Sequence, residues 1–264
     1  MEGAVRGWSI GFLWLAIVCG GSLAEARKFD FKNESFAGFV RFTAGSSLIE
    51  DQAYATSSGA GTSFSDSVQY DFSGELGFLM SIGDMANLRV GYEVIQPKAL
   101  TGIAGKDSGG QDYFTLDSTV RASHPNATLE FNVHHTPTLK VILFAGAGMA
   151  DVSVTNAYTM TALGTTDLGP SDFTEEITGQ VISWQTGMAL EVLFVDNVTS
   201  YFELGYRRIG TGELKFKEAT TPISNSNSAA AGEVALNNDG LSRRLDMSSY
   251  FFSVSFRFYV PMFK

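Results

Sequence analysis

The carboxyl-terminal stretch of the chain alternates between apolar and polar residues with a period of two. From Tyr250 to Val260 every second residue is apolar or aromatic, whereas the positions between them include two serines and Arg257. Successive side chains of a β-strand point to opposite faces of the sheet. The alternation therefore predicts a strand with one apolar face and one mostly polar face.

Similar alternation recurs along the chain, which predicts about eight strands in all. The seven other segments are 38–45, 72–80, 87–94, 127–134, 139–154, 182–194 and 201–207. The connections between them differ in length: the long ones are 46–69, 97–126, 156–179 and 217–243, and the short ones are 81–85, 135–138 and 196–197. Long and short connections fall on opposite ends of an up-and-down meander. Outer-membrane barrels have this asymmetry, with short periplasmic turns and long external loops.

The alternation alone does not say which face lies inside a closed sheet. A soluble lipocalin-like barrel also has eight strands, but its apolar side chains point inward to a ligand cavity. Here the polar faces carry carboxylates and guanidiniums in nearly equal numbers, and the apolar faces are almost free of charge. The charges therefore favour the all-β class, as a closed antiparallel up-and-down transmembrane β-barrel whose apolar faces contact lipid.

The barrel prediction assigns two sets of residues. An eight-stranded barrel encloses a space that side chains nearly fill, so inward charges are expected to pair with one another. The predicted charge network of the lumen consists of Arg41, Glu75, Arg89, Glu93, Glu130, Glu191, Glu203, Arg207 and Arg257. The side chains predicted to face lipid include Leu190, Phe202, Phe252, Phe256 and Phe258.

The first 26 residues are typical of an export signal. They contain Arg6, an apolar run at 10–18 and the small-x-small sequence Ala24-Glu25-Ala26, which predicts cleavage after Ala26 and a barrel domain at 27–264. The apolar run is shorter than the roughly 20 residues that a membrane-anchoring helix needs. Cys19 is the only cysteine and lies within the signal, so we expect no disulfide in the mature chain. Lipidation of Cys19 is the alternative, but Val18 stands where a small residue is expected.

From residue 28 to residue 264 the chain resembles the small outer-membrane β-barrels of the OmpA-type transmembrane domain, with OmpW-like and OmpX-like relatives. The resemblance is carried by the segment Ala145-Gly146-Ala147-Gly148 and by the aromatic final strand at 250–260. It implies insertion by the barrel assembly machinery with the help of periplasmic chaperones. Family members usually end in an aromatic residue, whereas here Phe263 is penultimate and Lys264 is last.

Several functional classes are disfavoured by the sequence. The net charge is −10 and there is no basic patch for nucleic acid. No metal-ligand cluster is apparent, so we expect neither a metal nor a cofactor. His134 and His135 fall at a predicted turn and His124 in a predicted external loop. No spacing ties them to a serine and an acid, which argues against an enzyme.

We therefore expect a monomeric, non-enzymatic protein of the bacterial outer membrane that contacts its lipids, supports the envelope and displays loops. Its lumen would be plugged by side chains. Two alternatives stay open: a narrow channel for ions or small solutes, and a lipid-modifying barrel enzyme. One external loop is predicted to be acidic, through Asp167, Asp172, Glu175 and Glu176.

Overall fold

The computed structural model describes residues 29, 31, 34–46, 72–83, 85–97, 99–106, 109–221, 228–236 and 241–260. The predicted signal, Cys19 and the terminal Phe263 and Lys264 lie outside these residues. The elements, in chain order, are β1 (Phe36–Ser46), β2 (Phe72–Ile82), β3 (Ala86–Gln96), β4 (Leu100–Lys106), β5 (Asp112–His135), β6 (Leu139–Met160), α1 (Ala162–Leu168), β7 (Phe173–Val195), β8 (Val198–Arg208), β9 (Lys215–Phe216) and β10 (Ser249–Tyr259).

Eight of these strands form a closed ring of antiparallel neighbours. The order around the ring is β1, β2, β3, β5, β6, β7, β8 and β10. Pairing of β3 with β5 and of β10 with β1 closes it. The predicted fold class, an up-and-down transmembrane β-barrel of eight strands, is confirmed. Strands β4 and β9 lie outside the ring and pair with β5 and β7.

The outer surface of the ring carries an apolar belt. Leu190, Phe202 and Phe252 are exposed on it, and Phe256 and Phe258 are partly exposed. Near the long-loop end of the belt, the ring of Tyr206 packs against Trp184 and Tyr250, with centroids 5.5 and 5.1 Å apart. Amphipathic rings of this kind collect where hydrocarbon meets headgroups.

The interior is filled in three layers. At the short-turn end, Phe29, Phe31 and Tyr259 pack with Ala37 and Leu79. The middle layer holds buried arginines and glutamates, packed with aromatic side chains. At the long-loop end lies a larger apolar cluster, to which β5, β6 and β7 contribute one face each.

Strands β5 and β7 are much longer than the sequence predicts, and β6 extends beyond its predicted end at residue 154 to Met160. β5, β6 and β7 have 24, 22 and 23 residues, about twice the 9–11 that cross a bilayer. Much of the predicted loops at 97–126 and 156–179 is therefore strand. The sequence predicts shorter strands at β5 and β7 because their alternation changes phase. On β5 the apolar positions are even-numbered and buried up to Ala122, then odd-numbered and outward from Ala127.

Beyond the membrane, the apolar side chains on the inner faces of the long strands must be shielded from water. We call residues 209–221, 228–236 and 241–247 the cover segment, since Leu214, Phe216, Leu245 and Met247 from it are buried in the long-loop-end cluster. The predicted loop at 217–243 is partly interior, because Ala229 and Ala235 belong to the same cluster. Among the described residues, no helix is long and apolar enough to cross a bilayer.

Candidate functional site

All nine residues of the predicted lumen network lie inside the barrel. Each is at most 2% exposed, and seven of the eight ring strands contribute at least one of them. On each strand these charged residues alternate with the residues of the apolar belt. Because successive side chains point to opposite faces, the charges point inward when the belt faces lipid.

Most of the network forms one chain of ion pairs. Arg41 contacts both Glu75 and Glu203 at 2.5 Å. Arg89 continues the chain, with an N–O distance of 2.7 Å to Glu203 and 3.4 Å to Glu130. At its far end the two terminal guanidinium nitrogens of Arg257 contact Glu130 at 2.6 Å and Glu191 at 3.1 Å.

Aromatic rings fill the space between the charges. The guanidinium of Arg257 lies 3.5 Å from the ring centroid of Tyr201, and that of Arg89 lies 5.7 Å from the same ring. Arg41 and Arg207 both lie over Phe251, at 5.1 and 5.7 Å. Cation–π contact favours a guanidinium in this position.

The second part of the network centres on His124, which corrects the sequence analysis. His124 lies on β5 with its side chain inside the barrel, not in an external loop. Its Nδ1 is 3.0 Å from Glu93 Oε2, and its Nε2 is 2.6 Å from Ser183 Oγ. Glu93 also pairs with Arg207 and accepts a hydrogen bond from Ser73. The histidine is therefore tied to a serine and an acid that are distant in sequence.

The Gly148 position explains how His124 reaches Ser183. His124 is on β5 and Ser183 on β7, so the imidazole must cross the face of the intervening strand β6. A Cβ added at Gly148 would lie 2.6 Å from His124 Nε2 and 2.5 Å from the Pro125 carbonyl. The glycines of the Ala145–Gly148 segment were the available sequence signal for this crossing, but the sequence alone does not say what crosses there.

A separate buried ion pair lies in the long-loop-end cluster. Arg243 of the cover segment contacts Glu175 of β7 at 2.5 Å, and Asn156 and Tyr158 also donate hydrogen bonds to that carboxylate. Glu175 was predicted to belong to an acidic external loop; instead it is 1% exposed. No sequence pattern pointed to its partner, because Arg243 is 68 residues away.

The arrangement is suited to holding charges in place rather than to chemistry. Ser183 and His124 are each 1% exposed, so a substrate has no visible approach to the serine. Among the described residues, no group of three or more histidine, cysteine, aspartate or glutamate side chains could hold a metal ion. An apolar cluster lies toward each end of the interior.

Comparisons with known proteins gave matches only among solved structures. No protein-family model matches the chain, and no curated protein matches it. Neisserial surface protein A is 16% identical, with 85% of this chain and 97% of that chain covered and a TM-score of 0.41. A major outer membrane protein of Thermus thermophilus is 12% identical, with 84% of this chain and 99% of that chain covered and a TM-score of 0.45. The outer membrane protease OmpT of Escherichia coli is 9% identical, with 86% of this chain and 94% of that chain covered and a TM-score of 0.43.

These identities and scores are low, and the proteins named have different roles. The fold is defined by the closed strand pairing, the apolar belt and the buried interior charges of this chain. The chain is an eight-stranded transmembrane β-barrel, and it resembles small outer-membrane β-barrels in architecture.

Proposed function

We propose that this protein is a non-enzymatic, integral protein of the bacterial outer membrane that supports the envelope and presents an external folded surface. The observation that carries the proposal is the opposite character of the two faces of the barrel wall. The outer face is an apolar belt, while nine charged side chains are buried and largely paired on the inner face.

The plugged interior favours a supporting role over transport. Ion pairs and aromatic rings occupy the middle of the barrel, and apolar clusters lie on both sides of them. Water-filled transport barrels have more strands and a wider lumen. The external strands β5–β7 and the cover segment provide a compact surface, which is the part of the molecule best suited to contact other envelope components.

Cell fractionation tests the location directly. After expression with residues 1–26 in a Gram-negative host, the mature protein is expected in the outer-membrane fraction. It should also migrate differently in gels before and after heating, because folded barrels resist detergent. Recovery of the mature protein from the soluble periplasm would contradict the proposal.

A second candidate function is hydrolysis at Ser183, and one observation favours it: the hydrogen-bonded series Ser183, His124 and Glu93. Nucleophilic serines are activated by a neighbouring histidine that an acid orients. Burial of the serine argues against this use. We expect no labelling of Ser183 by a fluorophosphonate probe in the folded barrel; specific labelling that His124→Gln abolishes would instead support an enzyme.

A further inference from the structure

A polar cavity of about 170 Å³ lies at the short-turn end of the barrel, beside the apolar cluster at that end. Its lining includes the buried side chains of Asn87 and Lys140 and the exposed side chain of His135, so the cavity reaches from the interior to the surface. On β3 the next inward residue beyond Asn87 is Arg89, which belongs to the ion-pair network. We call this cavity the short-turn vestibule.

Two hairpins supply most of the polar side chains of the vestibule. Ser81 on β2 stands opposite Asn87 on β3, and His135 on β5 stands opposite Lys140 on β6. The Ser81 hydroxyl donates to Asn87 Oδ1 at 3.0 Å, and Lys140 Nζ lies 4.2 Å from the ring centroid of Phe31. These contacts hold the amide and the ammonium in place, which reduces the conformational freedom that a ligand would otherwise have to remove on binding.

The amide of Asn87 indicates that the vestibule takes a molecule from outside the protein. Asn87 is 1% exposed, and among the described residues no acceptor lies within hydrogen-bond distance of its Nδ2. A buried donor left unpaired costs free energy, so such groups are nearly always satisfied by protein, water or ligand. Because Asn87 lines the vestibule, a molecule bound there can supply the acceptor.

The charges of the vestibule balance, which disfavours an ion as its occupant. Glu34 and Lys140 both line it, both are buried, and both already have contacts within the protein. An anion would be attracted by Lys140 but repelled by Glu34, and a cation would meet the reverse. A hydroxyl group both donates and accepts hydrogen bonds. A molecule with several hydroxyls can therefore bond to the amide, the carboxylate and the ammonium without bringing a net charge into the cavity.

The volume of the vestibule restricts the ligand to a small one. Its 170 Å³ correspond to about five or six molecules of liquid water and lie below the roughly 300–1,000 Å³ of sites for drug-sized ligands. We propose that the short-turn vestibule binds a neutral polyhydroxylated compound of monosaccharide size, with one hydroxyl accepting from Asn87 Nδ2 and others contacting Glu34 and Lys140. The inference rests on the proposed membrane function, which places this end of the barrel in the periplasm.

Titration of the purified barrel by nuclear magnetic resonance tests the proposal. The full mature chain, with its asparagines isotope-labelled, is folded in dodecylphosphocholine micelles, whose headgroup contains no sugar, and titrated with D-glucose. The side-chain amides of Asn87 and Asn132 report binding, because both residues line the vestibule. We expect saturable shifts of both signals with glucose but not with glycine or sodium sulfate. In Asn87→Leu the glucose response of Asn132 should weaken at least about threefold, as loss of one hydrogen bond predicts.

His135→Ala and His134→Ala form a matched pair, since both histidines are exposed neighbours on β5 and only His135 lines the vestibule. His135→Ala should weaken glucose binding at least about threefold, and His134→Ala should leave it unchanged.

Three results would overturn the proposal. One is a glucose shift that grows linearly without saturating, as expected of a cavity that holds only water. Another is a saturable response to glycine or sulfate in place of glucose, which would indicate a charged ligand. The third is an equal glucose response in the two histidine variants. The heat-modified gel shift of the same samples reports folding, and cell fractionation tests the membrane location separately.

Discussion

At the scale of single residues, the barrel interior depends on charges that are stable only as a set. A buried ion pair contributes little net free energy, because the cost of removing both groups from water offsets their attraction. Loss of one partner, however, leaves an unpaired charge in a site with no solvent. Glu130 illustrates this, since it lies between Arg89 and Arg257 and is fully buried.

Arg257→Ala is expected to be strongly destabilising. It removes the ion pairs to Glu130 and Glu191 and the cation–π contact with Tyr201. Stranding these carboxylates should lower the free energy of unfolding by about 3–5 kcal/mol. Urea unfolding in lipid vesicles measures the change. The control is Arg208→Ala on the exposed outer face of β8, and equal stability of the two variants would contradict the paired interior.

Gly148→Ala tests the crossing of His124 over β6. The added methyl group would meet the Pro125 carbonyl, the imidazole and Asn126 at 2.5–2.9 Å. Overpacking of this kind costs about 1–3 kcal/mol. Gly74→Ala on β2 is the matched control, because a Cβ there has no neighbour within 4 Å. If both variants unfold at the same urea concentration, the close approach of His124 is wrong.

At the scale of elements, each long strand has two segments of opposite polarity. In the membrane its apolar residues face outward, and beyond the membrane they face inward to the cover segment. The alternation was sufficient to predict all eight ring strands and the inward position of Arg41, Arg89, Arg207 and Arg257. It did not predict the strand extensions, because the phase change divides β5 and β7 into separate patterns.

Contacts between residues that are far apart in the sequence could not be predicted, for a related reason. The two-residue period determines which face a side chain occupies, but not which residue of another strand stands opposite. Register and the space around Gly148 decide that Ser183 meets His124. The same limitation hid the pairing of Glu175 with Arg243, whose segment carries no regular alternation.

Two substitutions on β7 compare its faces. Leu190 is exposed on the apolar belt, whereas Gln185 is buried and donates a hydrogen bond to Thr128 Oγ1 at 2.8 Å. Leu190→Arg should cost about 2–4 kcal/mol, as arginine does near the bilayer midplane. Gln185→Arg should lower the free energy of unfolding by less. The nine-residue network has five carboxylates and four guanidiniums, so the added arginine has a carboxylate in excess to pair with. Folding yield in lipid vesicles measures both, and equal yields would contradict the assignment of the faces.

At the scale of the whole molecule, buried ion pairs occupy the middle of the barrel and apolar clusters lie on both sides of them. The ion pairs span the lumen from β1 to β7, and an apolar cluster lies toward each end of the barrel. A membrane protein of this kind would separate the two sides of the bilayer while anchoring its external surface. We therefore propose that the barrel does not conduct ions.

Planar-bilayer recording of the purified wild-type protein tests this property, with a trimeric porin as the positive control. Insertion is verified by the heat-modified gel shift of the same preparation. The plugged interior predicts a bilayer that stays closed or shows only brief, small openings, because ions cannot pass without separating buried charge pairs. A wide and steady conductance like that of the porin would contradict the account.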